Sequence, residues 1–382
     1  MAGALHDTVA VCPPGLEPWL RAELLALGAR VGTPTRGLVP FRATTRQLYL
    51  ANRWSRIASR IVVRIGRFPA TSWTDLERGA GRLPWDDYLA NGVAPAFRVS
   101  SGKSKLIHTD AVAQRLHQLA GPPSLAEPEQ LFVVRIHHDL VTVSVDTSGD
   151  SLHKRGWRHE VGEAPLRETL AAGLLALAGW DGSSPLLDPF CGSGTIPIEA
   201  ARLAAGLPPR LERTYAVQRW PRFEPGTWAS VQAAPPPVPC VSRPAAIFAS
   251  DRDGGAVEIT RANADRAGVA DRITVEERVV SHVKAHRGPG WVITNPPYGR
   301  RVGDPDRLSR LYGRFGAVVR ERMPEWGVVL LAAERRMARA TGLDLRPTAE
   351  LETGGLRVQV LVGQPGLPPG QEAPGSVASS VR

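Results

Sequence analysis

The sequence DPFCGSGT at residues 188–195 and the sequence NPPY at residues 295–298 decide the fold. Each motif follows an apolar run that is typical of a buried strand, at 185–187 and at 291–294. In an open α/β sheet, ligands bind at the carboxyl ends of the parallel strands. Two polar motifs at two such ends therefore predict one shared crevice in a doubly wound, Rossmann-like α/β domain.

The first motif is suited to hold a nucleotide-like cofactor. Gly192 and Gly194 have no Cβ, so the turn can take positive φ and a ligand can approach the backbone. We expect Thr195 to cap a helix over 196–203, and the Asp188 carboxylate to attract the cationic amino-acid end of the cofactor. The Lys and Ser/Thr of a phosphate-binding loop are missing, as is the third glycine of a dinucleotide loop. Taken alone, the motif could also be an ordinary strand-to-helix turn.

The second motif is suited to activate a poorly nucleophilic nitrogen. An exocyclic amine on an aromatic ring has a delocalised lone pair, so it attacks a methyl group slowly. The Asn295 carboxamide oxygen and the Pro296 carbonyl can accept N–H bonds from such an amine, which frees the lone pair. Pro296 and Pro297 stiffen the loop, and the Tyr298 ring offers a stacking surface for a planar base. An Asn-Pro turn is common by itself, but the two motifs together predict a methyltransferase that uses S-adenosylmethionine.

The motifs resemble motifs I and IV of class I amino-methyltransferases that act on exocyclic amines. Further segments are similar to bacterial THUMP-containing RNA methyltransferases: PGLE at 14–17, LYLANR at 48–53, LHKRGWR at 152–158 and APLRETLAA at 164–172. The resemblance covers about residues 8–363. It is closest to the branch that methylates the N2 amine of guanine in 23S rRNA.

The resemblance implies a set of site residues. The residues expected to bind S-adenosylmethionine are Asp188, Phe190, Cys191, Gly192, Ser193, Gly194, Thr195, Asp251, Arg252 and Asn295, and the catalytic residues are Asn295, Pro296, Pro297 and Tyr298. Asp251 ends a predicted strand over 245–250 and is expected to bind the ribose hydroxyls, with Asp253 as the alternative. Relatives often carry an acid near the adenine where this chain has Val279, so that contact must come from another residue.

The charge distribution indicates a polyanionic partner. The net charge is +10 and the isoelectric point is about 10.2. From Leu24 to Thr74 there is no acidic residue, while Arg46, Arg53, Arg56 and Arg60 fall near helical spacing. The expected RNA-binding residues are Arg53, Arg56 and Arg60, Lys103 and Lys105 in a loop, and Lys154, Arg155 and Arg158 in a linker. The alternative is a merely solvated basic face in an arginine-rich protein.

The chain is long enough for two or three domains. The expected domains are a ferredoxin-like module over 1–68, a THUMP RNA-binding domain over 69–150, a linker over 151–163, a class I methyltransferase domain over 164–363 and a disordered tail over 364–382. The chain has no apolar run of about 18 residues and no signal peptide, so no membrane partner is expected. Cys12, Cys191 and Cys240 are odd in number and lack metal-site spacing, so we expect no metal and a reducing, cytoplasmic compartment. The protein is also expected to be a monomer.

The leading hypothesis is a methyltransferase acting on guanine N2 in structured RNA, with 23S rRNA favoured over tRNA. The alternatives are a tRNA guanine-N2 methyltransferase, an N6-adenine methyltransferase, and a catalytically dead THUMP RNA-binding assembly factor. Glutamine methylation of a protein could use the same NPPY motif, but it would leave the basic N-terminal half without a role.

Overall fold

The computed structural model describes residues 5–122, 129–159, 166–237, 244–284, 286, 288–298, 305–353 and 356–363. Contacts divide the chain into unit 1 (Met1–Val11, Glu23–Leu152 and Glu212–Pro235) and unit 2 (Cys12–Ala22, His153–Leu211 and Pro236–Arg382). The predicted tail, Cys240 and the predicted turn at Gly354 and Gly355 lie outside the described residues. Within the described ranges, no helix is long and apolar enough to cross a membrane.

Each unit contains one seven-stranded sheet. The strands of unit 1 are β1 (His6–Val11), β2 (Arg30–Val31), β3 (Leu38–Ala43), β4 (Arg60–Pro69), β5 (Ala94–Gly102), β6 (Glu129–His137) and β7 (Leu140–Asp146). Those of unit 2 are β8 (Leu186–Asp188), β9 (Ile247–Asp251), β10 (Ile273–Glu277), β11 (Gly290–Thr294), β12 (Trp326–Ala332), β13 (Arg346–Thr353) and β14 (Leu356–Gly363). The α-helices are α1 (Glu17–Ala26), α2 (Thr45–Trp54), α3 (Trp73–Ala80), α4 (Thr109–Ala120), α5 (Glu168–Ala178), α6 (Thr195–Ala204), α7 (Pro225–Gln232), α8 (Gly254–Arg266), α9 (Pro305–Arg322) and α10 (Arg335–Ala340).

The sheet of unit 1 has the order β2-β3-β1-β4-β7-β6-β5, and only the β5–β6 pair is parallel. Local sequence signals set its elements. Thr44 and Gln47 form a capping box at the start of α2, which satisfies two free backbone amides. His138 and Asp139 both have positive φ between β6 and β7, as a two-residue hairpin turn requires. The predicted hairpin over these strands is confirmed.

The predicted boundary between residues 68 and 69 falls inside a strand. β4 pairs with β1 through Arg60–Val63 and with β7 along its length, so both predicted N-terminal modules share one sheet. A register shift between Arg64 and Gly66 marks a β-bulge within β4. The contacts therefore place the two modules in one unit, and the domain limits stay a prediction.

The proline-containing segment 212–235, which the sequence analysis assigns to the catalytic domain, groups with unit 1. Its contacts explain why. The Trp220 indole N–H donates to Gln130 Oε1 at 2.9 Å, and the Glu224 amide donates to Tyr49 Oη at 3.1 Å. The Tyr49 ring also lies 5.6 Å from the ring of Trp228 in α7. Buried aromatic groups with their polar atoms paired thus fix this segment on α2 and β6.

The sheet of unit 2 has the order β10-β9-β8-β11-β12-β14-β13. The pairs from β10 to β12 are parallel, and β14 is antiparallel to both neighbours. The chain proceeds from β8 toward β10 on one side and from β11 toward β12 on the other, so the strand order reverses between β8 and β11. Such a reversal opens a crevice at the carboxyl ends of the strands. The predicted Rossmann-like sheet with a closing antiparallel hairpin is confirmed.

Candidate active site

A cavity of about 1510 Å³ lies at the carboxyl ends of β8, β9 and β11 in unit 2. Both motifs contribute to its walls. The predicted site residues that line it are Asp188, Phe190, Cys191, Gly192, Ser193, Thr195, Asp251, Arg252, Asn295, Pro296, Pro297 and Tyr298, whereas Gly194 lies outside the lining. The two distant motifs of the sequence therefore meet at one crevice, as the topology predicts.

The loop after β8 takes the conformation that its glycines permit. Gly192 has φ of 52° and Gly194 has φ of 82°. A Cβ on Gly192 would meet no atom within 4 Å, so this glycine leaves open space at the cavity wall. A Cβ on Gly194 would lie 2.8 Å from the Thr260 side chain, so Gly194 also allows the loop to pack closely on α8. The Thr260 hydroxyl donates to the Gly192 carbonyl at 2.7 Å and fixes the loop there.

The prediction that Thr195 caps the following helix is wrong. Gly194 is the N-cap of α6, and Thr195 is its first residue. The Thr195 hydroxyl instead accepts a hydrogen bond from Arg158 Nη2 at 3.0 Å. Because Gly194 takes the N-cap position with positive φ, Thr195 falls one residue too late to cap the helix with its side chain. Thr195 still lines the cavity.

Asp188 joins the ends of two strands. Its Oδ1 accepts a hydrogen bond from the Thr294 hydroxyl at 2.6 Å and another from the Phe190 amide at 3.2 Å. Asp188 is 1% exposed and Thr294 is fully buried. The pKa of Asp188 is raised to about 7, chiefly by burial and also by the nearby charge of Asp251, although both hydrogen bonds act in the opposite direction. The link between Asp188 and Thr294 holds the first motif against the second.

Asp251 and Asp253 have different partners at the end of β9. Asp251 Oδ2 accepts from the Gly192 amide at 3.1 Å, and its Oδ1 accepts from the Asp253 amide at 3.1 Å. Asp253 caps α8 by accepting from the Gly255 amide at 2.9 Å. Asp251 thus steadies the cofactor loop, Asp253 caps a helix, and both line the cavity. The ribose contact of Asp251 stays a prediction.

The NPPY loop presents an acceptor to the cavity. Asn295 Oδ1 is buried and has no hydrogen-bond partner among the residues that the structure describes. A buried acceptor without a partner costs about 1–3 kcal/mol, so such an atom marks a site that a ligand is expected to complete. The same loop is held by a hydrogen bond from the Tyr312 hydroxyl of α9 to the Pro297 carbonyl at 3.3 Å. Burial raises the pKa of Tyr312, so the phenol stays protonated as a donor.

Two residues that support the site, Thr294 and Tyr312, were not predicted from the motifs. Thr294 could have been found, because it is the one hydroxyl residue in the apolar run that precedes Asn295. Tyr312 could not have been assigned from the motif, since it lies on α9 and reaches the loop only through the tertiary fold. Val279, which stands where an acid was expected, is 41% exposed at the cavity wall beside Ser281.

The linker arginines lie in the interior of unit 2. Arg155 Nε lies 2.9 Å from Glu199 Oε1, and both side chains are fully buried. Arg158 Nε lies 3.3 Å from Glu168, and Arg158 Nη2 donates to the Leu166 carbonyl at 2.6 Å. Buried charges require such partners. This placement argues against the predicted RNA contacts of Arg155 and Arg158, which instead hold the linker onto α5 and α6.

The remaining predicted RNA contacts differ in exposure. Arg60 pairs with the buried Asp146 and donates to the Gly149 carbonyl at 2.9 Å. Arg53 and Arg56 are half-buried on and beside α2, and the Arg53 guanidinium lies 5.7 Å from the centre of the Trp54 ring. Lys103, Lys105 and Lys154 are exposed. The predicted helical arginine face is therefore largely occupied by contacts within unit 1, while the lysines are accessible.

The described residues contain no group of three or more His, Cys, Asp or Glu side chains that could hold a metal ion. Cys191 is buried in the cofactor loop, and its burial raises the pKa of the thiol. A protonated, buried thiol is a poor nucleophile.

Comparison with known proteins places this site in a family. Residues 155–357 match the RMKL-like methyltransferase domain, and residues 7–62 match the RlmL ferredoxin-like domain. The chain is 35% identical over 375 residues to the ribosomal RNA large subunit methyltransferase K/L of Methylococcus capsulatus, covering 94% of this chain and 51% of that protein. It is 28% identical over 359 residues to "Putative RNA methyltransferase slr0064" of Synechocystis sp., covering 91% of this chain and 94% of that protein.

A solved structure of a methyltransferase has the same fold. SMU.472, "a putative methyltransferase complexed with SAH", matches with a TM-score of 0.83 at 28% identity, covering 94% of this chain and 97% of that one. The chain spans about half the length of the Methylococcus protein. The domain match nevertheless covers more than half of this chain and includes both motifs of the crevice. The chain therefore belongs to the RMKL-like methyltransferase domain family.

Proposed function

We propose that this protein transfers a methyl group from S-adenosylmethionine to the exocyclic N2 amine of a guanine in 23S rRNA. The proposal combines the chemistry of the crevice with the names of its relatives. The Methylococcus relative is named as a ribosomal RNA large subunit methyltransferase and the Synechocystis relative as an RNA methyltransferase. The net charge of +10 is consistent with an RNA substrate.

The observation that carries the proposal is the acceptor in the NPPY loop. Asn295 Oδ1 is buried in the cavity wall without a partner among the described residues. An amine nitrogen with two N–H groups can donate to Asn295 Oδ1 and to the Pro296 carbonyl together. The Tyr312 hydroxyl donates to the Pro297 carbonyl and holds the loop in place, so the acceptors are fixed before the substrate arrives.

The crevice fits S-adenosylmethionine in its donor set and its free space. The open side of Gly192 leaves room for a ligand against the backbone, and the Asp188 and Asp251 carboxylates lie at adjacent strand ends. We assign Asp188 to the cationic amino-acid end of the cofactor and Asp251 to its ribose hydroxyls. When bound, the cofactor supplies a methyl group on a positively charged sulfur.

The residues of this chain then act on the amine. Asn295 and Pro296 accept its N–H bonds, which draws electron density onto the nitrogen and aims its lone pair. The methyl carbon would exchange its bond to sulfur for a bond to the nitrogen, so the thioether is the leaving group and the positive charge passes to the nitrogen. The same two acceptors stabilise that charge more strongly than they stabilise the neutral amine, and the nitrogen then releases one N–H proton to water. The Tyr298 ring is proposed to stack on the base, which leaves its edge facing Asn295.

The proposal is tested by single-turnover methyl transfer to unmodified 23S rRNA fragments, with unmodified tRNA as the parallel substrate. The methylated nucleoside is identified by mass spectrometry. We expect N2-methylguanosine in the rRNA reaction. N6-methyladenosine would move the enzyme to adenine, and product in tRNA alone would change the substrate class. No product with either RNA, while S-adenosylmethionine still binds, would leave an RNA-binding factor without catalysis.

A further inference from the structure

The two faces of the unit 1 sheet differ in composition. Buried apolar residues occupy one face, among them Phe41, Val63, Phe132 and Val143. On the other face, six arginines occur at positions that the strand register brings into line. We call them the arginine stripe: Arg30 on β2, Arg42 on β3, Arg64 and Arg67 on β4, Arg98 on β5 and Arg135 on β6.

The register shows that these arginines share one face. Cross-strand partners point to the same side of a sheet. Arg30 is opposite Arg42, and Arg42 is opposite Asp7 on β1. Further along the sheet, Arg64 is opposite Ser144, which is opposite Val133, and Val133 is opposite Arg98.

A second row lies beside the first. Arg67 is opposite Thr142, which is opposite Arg135. Because strands lie about 4.8 Å apart, a line across seven strands is roughly 29 Å long. The stripe therefore runs across the whole sheet, from β2 at one edge to β5 at the other.

The stripe is available to a partner. Five of its members are exposed and have no ion pair among the described residues: Arg30, Arg42, Arg67, Arg98 and Arg135. Arg64 is half-exposed, and its pairing with Asp7 is loose, with Arg64 Nη1 3.3 Å from Asp7 Oδ1. Arg30 and Arg42 are directly opposite each other, and like charges in that position are unfavourable in the free protein. The stripe therefore indicates a polyanion that neutralises it.

We propose that the arginine stripe binds the phosphate backbone of the RNA substrate. This inference rests on the proposed function, and it names the surface through which unit 1 would hold the RNA. Phe41, Phe68, Phe97 and Phe132 all fall on the opposite, core face at the paired positions of the described strands. Because the stripe consists of guanidinium groups and its face carries no Phe, Tyr or Trp on the described strands, it suits phosphates rather than bases, so its binding is independent of sequence.

The test compares two triple variants with the same change in net charge. The stripe variant is Arg67→Gln, Arg98→Gln, Arg135→Gln, and the control is Arg82→Gln, Arg272→Gln, Arg346→Gln, three exposed arginines away from the stripe. Affinity for a 23S rRNA fragment and for an unrelated RNA of equal length is measured from low to moderate salt. Each phosphate contact contributes about 0.7–0.9 to the log–log salt slope. We expect the stripe variant to lose about 2–3 from that slope with both RNAs, and the control to lose less than about 1.

A parental slope in the stripe variant, or an equal loss in both triple variants, would overturn the assignment of the stripe. The proposed function is tested separately with the same two triple variants. Methyl transfer at saturating RNA and S-adenosylmethionine should proceed at the parental rate in both variants, because none of the six arginines lines the cavity. If the parent protein methylates no RNA, the proposed function fails. A salt slope that still depends on the stripe would then show that the stripe binds RNA even though the proposed methyl transfer is wrong.

Discussion

In unit 2 the functional residues lie at the ends of strands, whereas in unit 1 the arginines that we assign to RNA lie across the face of a sheet. The difference follows from how each sheet is buried. A parallel sheet is covered on both faces, so its ends are the places where polar side chains meet solvent and ligands. A mostly antiparallel sheet can leave one face open. The sheet of unit 2 thus forms a crevice at its strand ends, whereas the sheet of unit 1 presents a charged surface on one face.

Arginine sharpens this comparison because it occurs in both settings. Arg155 is fully buried against Glu199 in unit 2, whereas Arg135 is exposed on β6 in unit 1. The residue type does not distinguish the two roles, but burial and the partner do. Substitutions at the two kinds of position should therefore affect different measurements.

The largest effect is expected from Arg155→Ala. Removing one member of a buried ion pair leaves the other charge poorly compensated, which costs about 3–5 kcal/mol. We expect the free energy of unfolding in urea to fall by about that amount and the midpoint to fall with it, with Arg135→Ala as the matched control that leaves both unchanged. Equal midpoints for the two variants would contradict the structural role of the linker arginine.

Asn295→Ala comes next and acts on turnover instead of stability. Loss of one preorganised hydrogen-bond partner of the reacting group lowers the rate by about 10²–10³. Affinities for RNA and for S-adenosylmethionine should stay near those of the parent, since the Pro296 carbonyl and the cofactor loop remain. The measurement is single-turnover methyl transfer under saturating substrates. A parental rate in this variant would rule out amine activation by the carboxamide.

A smaller effect is expected from Thr294→Val, which removes the hydroxyl that donates to Asp188. Leaving that buried acceptor short of a donor costs about 1–3 kcal/mol, whereas Thr294→Ser retains the donor and serves as the control.

The loss should depend on pH in a defined direction. The pKa of Asp188 is raised from its ordinary value to about 7, so the stability that this group contributes is present at low pH and is lost as the pH rises through about 7. The Thr294 hydroxyl favours the charged form, so its loss raises the pKa further. The stability gap between Thr294→Val and the parent should therefore widen above pH 7. A gap that stays constant from pH 5 to pH 8 would contradict this account.

The smallest effect is expected from Arg53→Gln combined with Arg56→Gln. Both side chains are half-buried, and Arg53 packs on the Trp54 ring. The salt slope of RNA binding should change by less than about 1, well below the loss expected in the stripe variant. If the salt slope fell more in this variant than in the stripe variant, α2 and not the arginine stripe would be the main RNA-binding surface.

The meeting of the two motifs at one crevice could be predicted because its signals are local. A glycine pair after one strand and an NPPY loop after another are short motifs, and the rule for strand ends places them together. Cross-strand relationships could not be predicted in the same way. Arg67 and Arg135 are distant in sequence, and only the pairing of β4 with β7 and of β7 with β6 aligns them. The helical spacing of Arg53 and Arg56 was visible, but their burial was not, since burial depends on the fold.

The position of β4 has a practical consequence for anyone who divides this protein into pieces. A fragment ending at residue 68 would cut β4 one residue before its end and remove β7, its partner along seven registered positions from Val62 to Pro69. The backbone amides and carbonyls of a long central strand would become an open edge, and open edges pair with other chains. We expect such a fragment to self-associate, whereas a fragment that retains all of β1 to β7 keeps every pairing of the sheet.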